Sequence, residues 1–373
     1  MQLSGQLSGK IVLPDQVITG ELTLSDGLIR SIRPLHDAPP QIILPGFIDC
    51  HVHGGDGADT MDGVEAIHRL SRFHLTHGTT TLLPTTITRP WKDVTDALRA
   101  IAEARENRRA DGPELHGAHL EGPFVSPLRL GAQPPFAILP TPEKITEVLD
   151  TGIVRIVTIA PELEHADTAI ARFAAADVRV SIGHTTAGYE ETEAAICRIC
   201  SAGGTAGGTH LFNAMPPVES RRPGPATALM CSDAGYAEMI LDLHHIHPAT
   251  FRLTSRMMRD RLLLITDCMR GAGQPEGPSQ LGGQDVMIRN GAARLPDGTL
   301  AGSVLTLDTA FRNAVREGGK SLPEAAALTA TNAARYLGLH DRGRITPGLR
   351  ADLVVMDEAL QVRDVIIAGR SRI

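Results

Sequence analysis

Histidines and carboxylates in this sequence stand where apolar runs end. The first such run, Pro45-Gly46-Phe47-Ile48-Asp49-Cys50, leads directly into His51-Val52-His53-Gly54-Gly55. In an extended strand, residues i and i+2 face the same side, so His51 and His53 converge on one point at the strand's end. Neutral imidazole at such a point is a ligand for Zn, Fe, Ni or Cu, and the two glycines let the chain turn away close by. Later runs end in His119-Leu120-Glu121, Gly183-His184, Thr209-His210, Asp242-Leu243-His244-His245 and Thr266-Asp267. A single histidine capping a strand is ordinarily a loop hydrogen-bonder, but its recurrence at successive strand ends reads as a site. Glu121, His184 and His210 make a three-ligand set with an open fourth position, the pattern of a catalytic rather than a structural metal. His51 and His53 complete a second, adjacent position. Asp267, on the last strand, is then available as a general base toward water.

These residues need strands that all end on one face. Apolar runs suited to strands cover 42–50, 79–85, 115–120, 154–160, 179–183, 204–209, 237–243 and 261–266. Helical patterns separate most of them, at 63–77, 91–109, 142–149, 166–176, 189–201 and 248–259, and two more follow at 306–316 and 323–337. Strand–helix alternation implies a parallel sheet covered by helices, and eight units suggest a closed (β/α)8 TIM-like barrel over 45–342 with chemistry at the strands' C-terminal ends. A doubly wound open sheet would need a glycine-rich phosphate turn after an early strand, and no such turn is present. Short β-like runs at 9–13, 17–24 and 28–32, and again at 351–356 and 362–367, predict a small β-sandwich domain built from both termini, 1–44 and 343–373.

Composition narrows the function. A chain of 373 residues is long enough for a barrel of about 250 residues plus a smaller domain. A formal net charge of −7 argues against a nucleic-acid partner, so an anionic small substrate would need local arginines. The start of the chain lacks a basic segment followed by an apolar run, and no apolar stretch reaches membrane-spanning length, which together predict a soluble cytoplasmic protein with no membrane association. The five cysteines form no disulfide framework, and Cys197-x-x-Cys200 falls on a helix without a partner pair, so it reads as structural thiols.

The strings Gly117-Ala118-His119-Leu120-Glu121-Gly122-Pro123-Phe124 and Thr209-His210-Leu211-Phe212-Asn213-Ala214-Met215-Pro216, with Pro45–Gly55, Gly183-His184-Thr185 and Ile265-Thr266-Asp267, resemble the N-acetylglucosamine-6-phosphate deacetylase family of the amidohydrolase superfamily. The resemblance runs over nearly the whole chain. It implies a metal-dependent hydrolase that releases acetate from an N-acetyl hexosamine 6-phosphate. By matching motif, Glu121, His184 and His210 hold a divalent ion, Zn or Fe, and His51 and His53 belong to a second site that some members use. Asp267 is the base and then the acid toward the leaving amine. Asn213, Ala214 and His245 contact the substrate, and Arg221 contacts its phosphate from the neighbouring subunit of a homodimer. Many two-metal relatives bridge their ions with a carbamylated lysine, but Lys10, Lys92, Lys144 and Lys320 all lie away from the strand ends, which leaves that role to Glu121. Two positions depart from the family pattern: Gln133 stands where a histidine is usual, and Leu243 where a glycine is usual, a bulk expected to narrow the sugar pocket. They open two alternatives, a deacetylase for another N-acyl amino sugar such as N-acetylgalactosamine 6-phosphate, or another amidohydrolase reaction on an N-acyl or cyclic amide.

Overall fold

The computed structural model describes residues 5–373, so the first four positions of the expected 1–44 segment lie outside it. Strands at the two ends of the chain are amphipathic. Val17–Ser25 buries Gly20, Leu22 and Leu24 at period two and leaves the residues between them partly exposed. Such strands must cover one face, and they do so together. Leu353–Asp357 runs antiparallel to Gln41–Pro45 along its whole length, from Leu353 opposite Pro45 to Asp357 opposite Gln41. The C-terminal strands thereby extend the N-terminal ones. The result, among the described residues, is one hydrogen-bonded sheet of seven strands that curls back on itself, Leu28 of its edge strand bridging Arg350 just before Leu353–Asp357. Ile11, Leu22, Ile29, Ile43, Leu353 and Val355 pack on one of its faces.

The first expected strand, 42–50, is in fact two. Gln41–Pro45 belongs to the terminal sheet and Phe47–Val52 to the central one. The chain changes sheets at Gly46, where an added Cβ would lie 2.3 Å from Thr80 Oγ1. Only glycine lets the crossing pass this close to its neighbour.

The central strands are buried on both sides, as parallel strands under helices must be. Phe47–Val52 pairs in parallel with Thr79–Pro84, which pairs with Glu114–Leu115. Ala118–Glu121, Val154–Ile159, Arg179–Ile182 and Ala206–Gly208 form a second parallel run, and Ala237–Ile240 pairs with Leu262–Ile265. Hydrogen bonds join these runs. A bridge pairs Thr85 with His119, Leu211 N donates to Glu238 O at 2.8 Å, and Asp267 N donates to His51 O at 2.9 Å. The pairing therefore passes from strand to strand and returns to the first. All these strands run the same way, so their C-terminal ends share one face.

The helices fall close to the expected places, each burying one stripe; Trp91–Glu106 buries Val94, Leu98 and Ile101. Three features were not anticipated. Gly224–Cys231 is helical although its sequence has no polar face. Gly277–Leu281, Gln284–Arg289 and Ala292–Arg294 form a small antiparallel sheet after the last central strand, with Leu281, Val286 and Ile288 packed on Ile87 and Met269. The long helix expected over 323–337 is interrupted by a π turn at Ala327–Thr331, beside which the buried Asn332 donates to Leu262 O at 2.7 Å. No helix among the described residues is long and apolar enough to cross a membrane.

A half-buried ion cluster ties the terminal sheet to the central one. Glu114 meets Arg342 at 3.1 Å and also pairs with Arg350, whose Nε lies 3.1 Å from Asp352. Burial alone would raise the Glu114 carboxyl, but the two guanidinium groups pull it down to about 2. A carboxyl lower in the folded than in the unfolded state stabilises fully above its unfolded value, roughly 4.3, and that stability is lost as pH falls toward 2. The thermal midpoint of the native protein should therefore drop more steeply between these pH values than that of Glu114→Gln. Parallel curves would remove Glu114 from the acid response.

Candidate active site and metal centre

The strand ends bring the sequence candidates together. Glu121 closes Ala118–Glu121, and His184, His210 and Asp267 each lie two residues beyond a strand. All three have positive φ, at 47°, 29° and 49°. Phe212, Ala214 and Leu243, on the same face, share that left-handed conformation. Non-glycine residues rarely adopt it, and such strain gathers where the backbone is fixed by a site.

Glu121 is the pivot. Its Oε1 lies 3.1 Å from His184 Nε2 and 3.0 Å from His210 Nε2. Its Oε2 lies 3.1 Å from His53 Nε2 and 3.5 Å from His51 Nε2. Asp267 Oδ1 faces the second pair, 3.2 Å from His53 and 3.5 Å from His51. One carboxylate thus spans two histidine pairs, one oxygen to each.

The donors fit a metal. His184 Nδ1 lies 2.9 Å from Arg129 O and His51 Nδ1 lies 3.0 Å from Glu238 Oε2. Both partners can only accept, so each ring donates from Nδ1 and presents the Nε2 lone pair to the cluster. His184 Nε2 and His210 Nε2 stand 3.0 Å apart, and His51 Nε2 and His53 Nε2 3.2 Å apart. Ring nitrogens this close need a proton or a cation between them, and a bound ion would meet that need at both pairs. The electrostatics ask for the same thing. Burial alone would push the His53 imidazole down, but hydrogen bonds to Asp267 and Glu121 lift it to about 9. Burial also opposes the charge on Asp267, yet His51 and His53 hold its carboxyl below the usual range. Glu121, His184 and His210 on one side, and His51, His53 and Asp267 on the other, are each close enough to hold one ion.

A cavity of about 230 Å³ opens over the cluster, lined by His53, Glu121, His184, His210 and Asp267 and by Gln133, Asn213, Ala214 and His245. His245 is oriented by Asp242, which accepts from its Nδ1 at 2.7 Å. Gln133 is clamped twice: its Oε1 accepts from Thr88 N at 2.6 Å, and its Nε2 donates to Glu121 Oε2 at 2.6 Å. The Thr88 contact fixes the amide so that its N–H groups face the cluster. Leu243 corrects the expectation placed on it. It is 39% exposed and does not line the cavity, so it cannot narrow a sugar pocket there. It takes a positive φ of 70° at the position where a glycine was expected. Arg221 does not join the cluster within its own chain. It is exposed and lines a separate cavity with Arg129, Tyr189 and Arg222. Cys197 and Cys200 are exposed and free, away from the cluster. Glu238 and Thr88 hold members of the site yet were not singled out from sequence, and Asp242 was noted only as part of a strand end, without this role.

The amidohydrolase family profile matches residues 42–372. The chain belongs to the amidohydrolase family. Among curated members it is 37% identical over 338 residues to N-acetylglucosamine-6-phosphate deacetylase from Lysinibacillus sphaericus, covering 89% of this chain and 86% of that protein. It is 35% identical over 359 residues to N-acetylgalactosamine-6-phosphate deacetylase from Escherichia coli O157:H7, covering 94% of each. Among solved structures it superimposes with a TM-score of 0.92, at 35% identity and 99% coverage of both chains, on N-acetyl-D-glucosamine-6-phosphate deacetylase from Mycobacterium smegmatis, an aspartate-to-alanine variant in complex with N-acetyl-D-glucosamine-6-phosphate. Within the amidohydrolases, this chain falls in the N-acetylglucosamine-6-phosphate deacetylase group.

Proposed function

We propose that this amidohydrolase removes the acetyl group of an N-acetylhexosamine 6-phosphate, N-acetylglucosamine 6-phosphate before others, giving the amino sugar phosphate and acetate. One observation carries the reading: Glu121 spans two histidine pairs, with Asp267 beside one of them, beneath a cavity sized for a small polar substrate. We read the ring of parallel strands as a (β/α)8 barrel over 45–342 and the terminal sheet as a second domain. We place the enzyme in the cytoplasm, where a phosphorylated sugar, unable to cross a bilayer, is retained.

Glu121, His184 and His210 would hold one divalent ion, and His51 and His53 a second; mixed nitrogen and oxygen donors suit zinc or iron. Such an ion polarises the amide carbonyl and brings water to ionise near neutral pH. Asp267 takes a proton from the water that attacks the acetamide carbon. As the C–N bond breaks, Asp267 returns that proton to nitrogen, so the amine leaves neutral and the new C–O bond remains in acetic acid, which gives its proton to solvent to become acetate. His245, held by Asp242, and Asn213 and Ala214, in the loop after His210, hold the sugar. Gln133 has a second N–H available for the carbonyl oxygen. Acetate release from a panel of N-acetylhexosamines with and without 6-phosphate tests the whole reading. Opening of cyclic amides with no acetate released from any phosphorylated sugar would overturn it.

The galactosamine epimer is a second substrate to be weighed, favoured by the Escherichia coli relative and by Gln133. A neutral amide donates less strongly than a cationic imidazole, since charge-assisted hydrogen bonds are roughly twice as strong. Gln133→His should therefore raise kcat/KM for N-acetylglucosamine 6-phosphate by roughly tenfold, less than the full worth of such a donor, because the change also gives up the Thr88 contact. Equal rates in both proteins would show that the position does not set activity on this epimer.

Arg221 is assigned to the phosphate of a substrate bound in the partner subunit of a homodimer. Its place outside its own catalytic cavity supports this. Arg221→Ala should raise KM for the phosphorylated sugar by roughly 10–100-fold, as expected for loss of a hydrogen bond between charged groups, and leave the unphosphorylated sugar nearly unchanged. Co-expression of Arg221→Ala with Asp267→Asn chains separates the geometries. A crossing arginine gives each mixed dimer one intact site and some recovered activity, whereas an arginine serving its own chain gives none.

A further inference from the structure

Glu238 lies in the middle of Ala237–Ile240 and points into the ring of strands, 1% exposed. A carboxylate there is costly unless it is paired. Its Oε2 accepts the Nδ1–H of His51 at 3.0 Å and lies 3.5 Å from the backbone N of His210. Its Oε1 has no hydrogen-bond partner among the described residues, and His119 Nδ1, 4.0 Å away, is already 3.1 Å from Cys50 O. The next layer of the interior is closed off: His119 Nε2 meets Thr158 Oγ1 at 2.8 Å, which meets Thr209 Oγ1 at 2.8 Å. Glu238 therefore has one functional contact, and it is with the ring of His51 that faces the cluster from the other side.

We infer that Glu238 is the positioning residue for a second metal ion, held at His51, His53 and Asp267. This inference rests on the reading of the cluster as a metal centre. The geometry gives Glu238 two effects. By accepting from Nδ1 it fixes the tautomer and the plane of His51, so that the Nε2 lone pair points at His53 and Asp267. Its negative charge, carried through the imidazole, makes Nε2 a stronger donor to a cation. The other half of the centre is held differently: His184 leans on a neutral carbonyl, Arg129 O, and the Nδ1 of His210 has no partner among the described residues. The two positions are thus unequal in their support, and a change at Glu238 acts on one of them.

The test is metal binding by the full chain, without substrate. Zinc or cobalt is titrated into metal-free native protein, Glu238→Gln, Glu238→Ala and His51→Ala against a competing chelator, with total metal analysis after dialysis. The native protein should hold two ions of different affinity. Glu238→Ala should weaken one of them roughly 10–100-fold, the usual effect of removing such an outer contact, and leave the other within about threefold. Glu238→Gln keeps an accepting oxygen and loses the charge, so its loss should be intermediate. His51→Ala should lose the same ion, and cobalt absorption should change for that ion alone. Circular dichroism separates these effects from misfolding, with Glu238→Gln standing in if the alanine variant does not fold. Two ions bound with unchanged affinities in a folded Glu238 variant, or equal weakening of both, would overturn the inference and leave the metal reading intact. A native protein that binds no ion would remove the metal reading itself, and one that binds a single ion, indifferent to His51, would remove only the second site.

Discussion

Asp267→Asn is expected to lower turnover by roughly 10²–10⁴-fold, the range for a positioned acid–base group, while the protein folds and retains the ion assigned to Glu121, His184 and His210. Asparagine keeps the size and polarity of the side chain and cannot carry the proton. The position is fixed by its backbone, since Asp267 N donates to His51 O at 2.9 Å and its carbonyl accepts from Ser303 N at 2.8 Å. The substitution therefore changes chemistry at one atom with little movement around it. The demand for the proton is intrinsic to the bond broken, because an amine is a poor leaving group as an anion. KM should change little, since the sugar contacts assigned to His245, Asn213 and Arg221 are untouched. Metal analysis beside single-turnover and steady-state acetate release checks each part. Activity within tenfold of native in a metal-replete Asp267→Asn protein would move the base to another group, with His245, which lines the same cavity outside both metal groups, the next candidate.

The sequence disclosed those parts of the site that depend on local pattern. His51 and His53 were legible because period two in a strand aims both at one point, and Glu121, His184, His210 and Asp267 because each follows an apolar run directly. What stayed hidden depends on contacts between distant segments. Glu238 sits inside a strand rather than at its end, and its only sequence signal is an acidic residue in the otherwise apolar Ala237-Glu238-Met239-Ile240. A carboxylate buried there demands a partner, and which partner it finds is decided by the closing of the ring. The exposure of Leu243 was not legible because adjacency to His245 in sequence does not say whether a side chain reaches the cavity. The terminal strands were legible one by one, but their order was not, since it is set by pairing between residues some 300 apart, such as Val355 with Ile43. The small sheet over 277–294 was not legible because its strands are short and half-exposed, the middle one burying only Val286 and Ile288.

His184→Ala should remove the ion held with Glu121 and His210 and take activity to background. Three ligands define that position, and two remain after the change. The loss is not repaired from nearby: the closest other imidazoles, His51 and His53, face the opposite oxygen of Glu121 at 3.5 and 3.1 Å and are turned toward Asp267. The ring of His184 is also locked by its contact with Arg129 O, so the site is preorganised, and alanine gives up that arrangement along with the donor atom. The fold should survive, because His184 lies beyond the end of Arg179–Ile182 and its removal leaves the parallel pairing to Val154–Ile159 and Ala206–Gly208 in place. His245→Ala is the contrasting variant: it lines the same cavity without belonging to either metal group, so it should keep the ions and raise KM. Total metal after dialysis, thermal midpoint and acetate release, measured on both variants, separate loss of the ion from loss of the sugar contact. A folded His184→Ala protein that keeps the full metal complement and native turnover, or a native enzyme that works undiminished after exhaustive chelation, would take the metal away from the centre of the reaction.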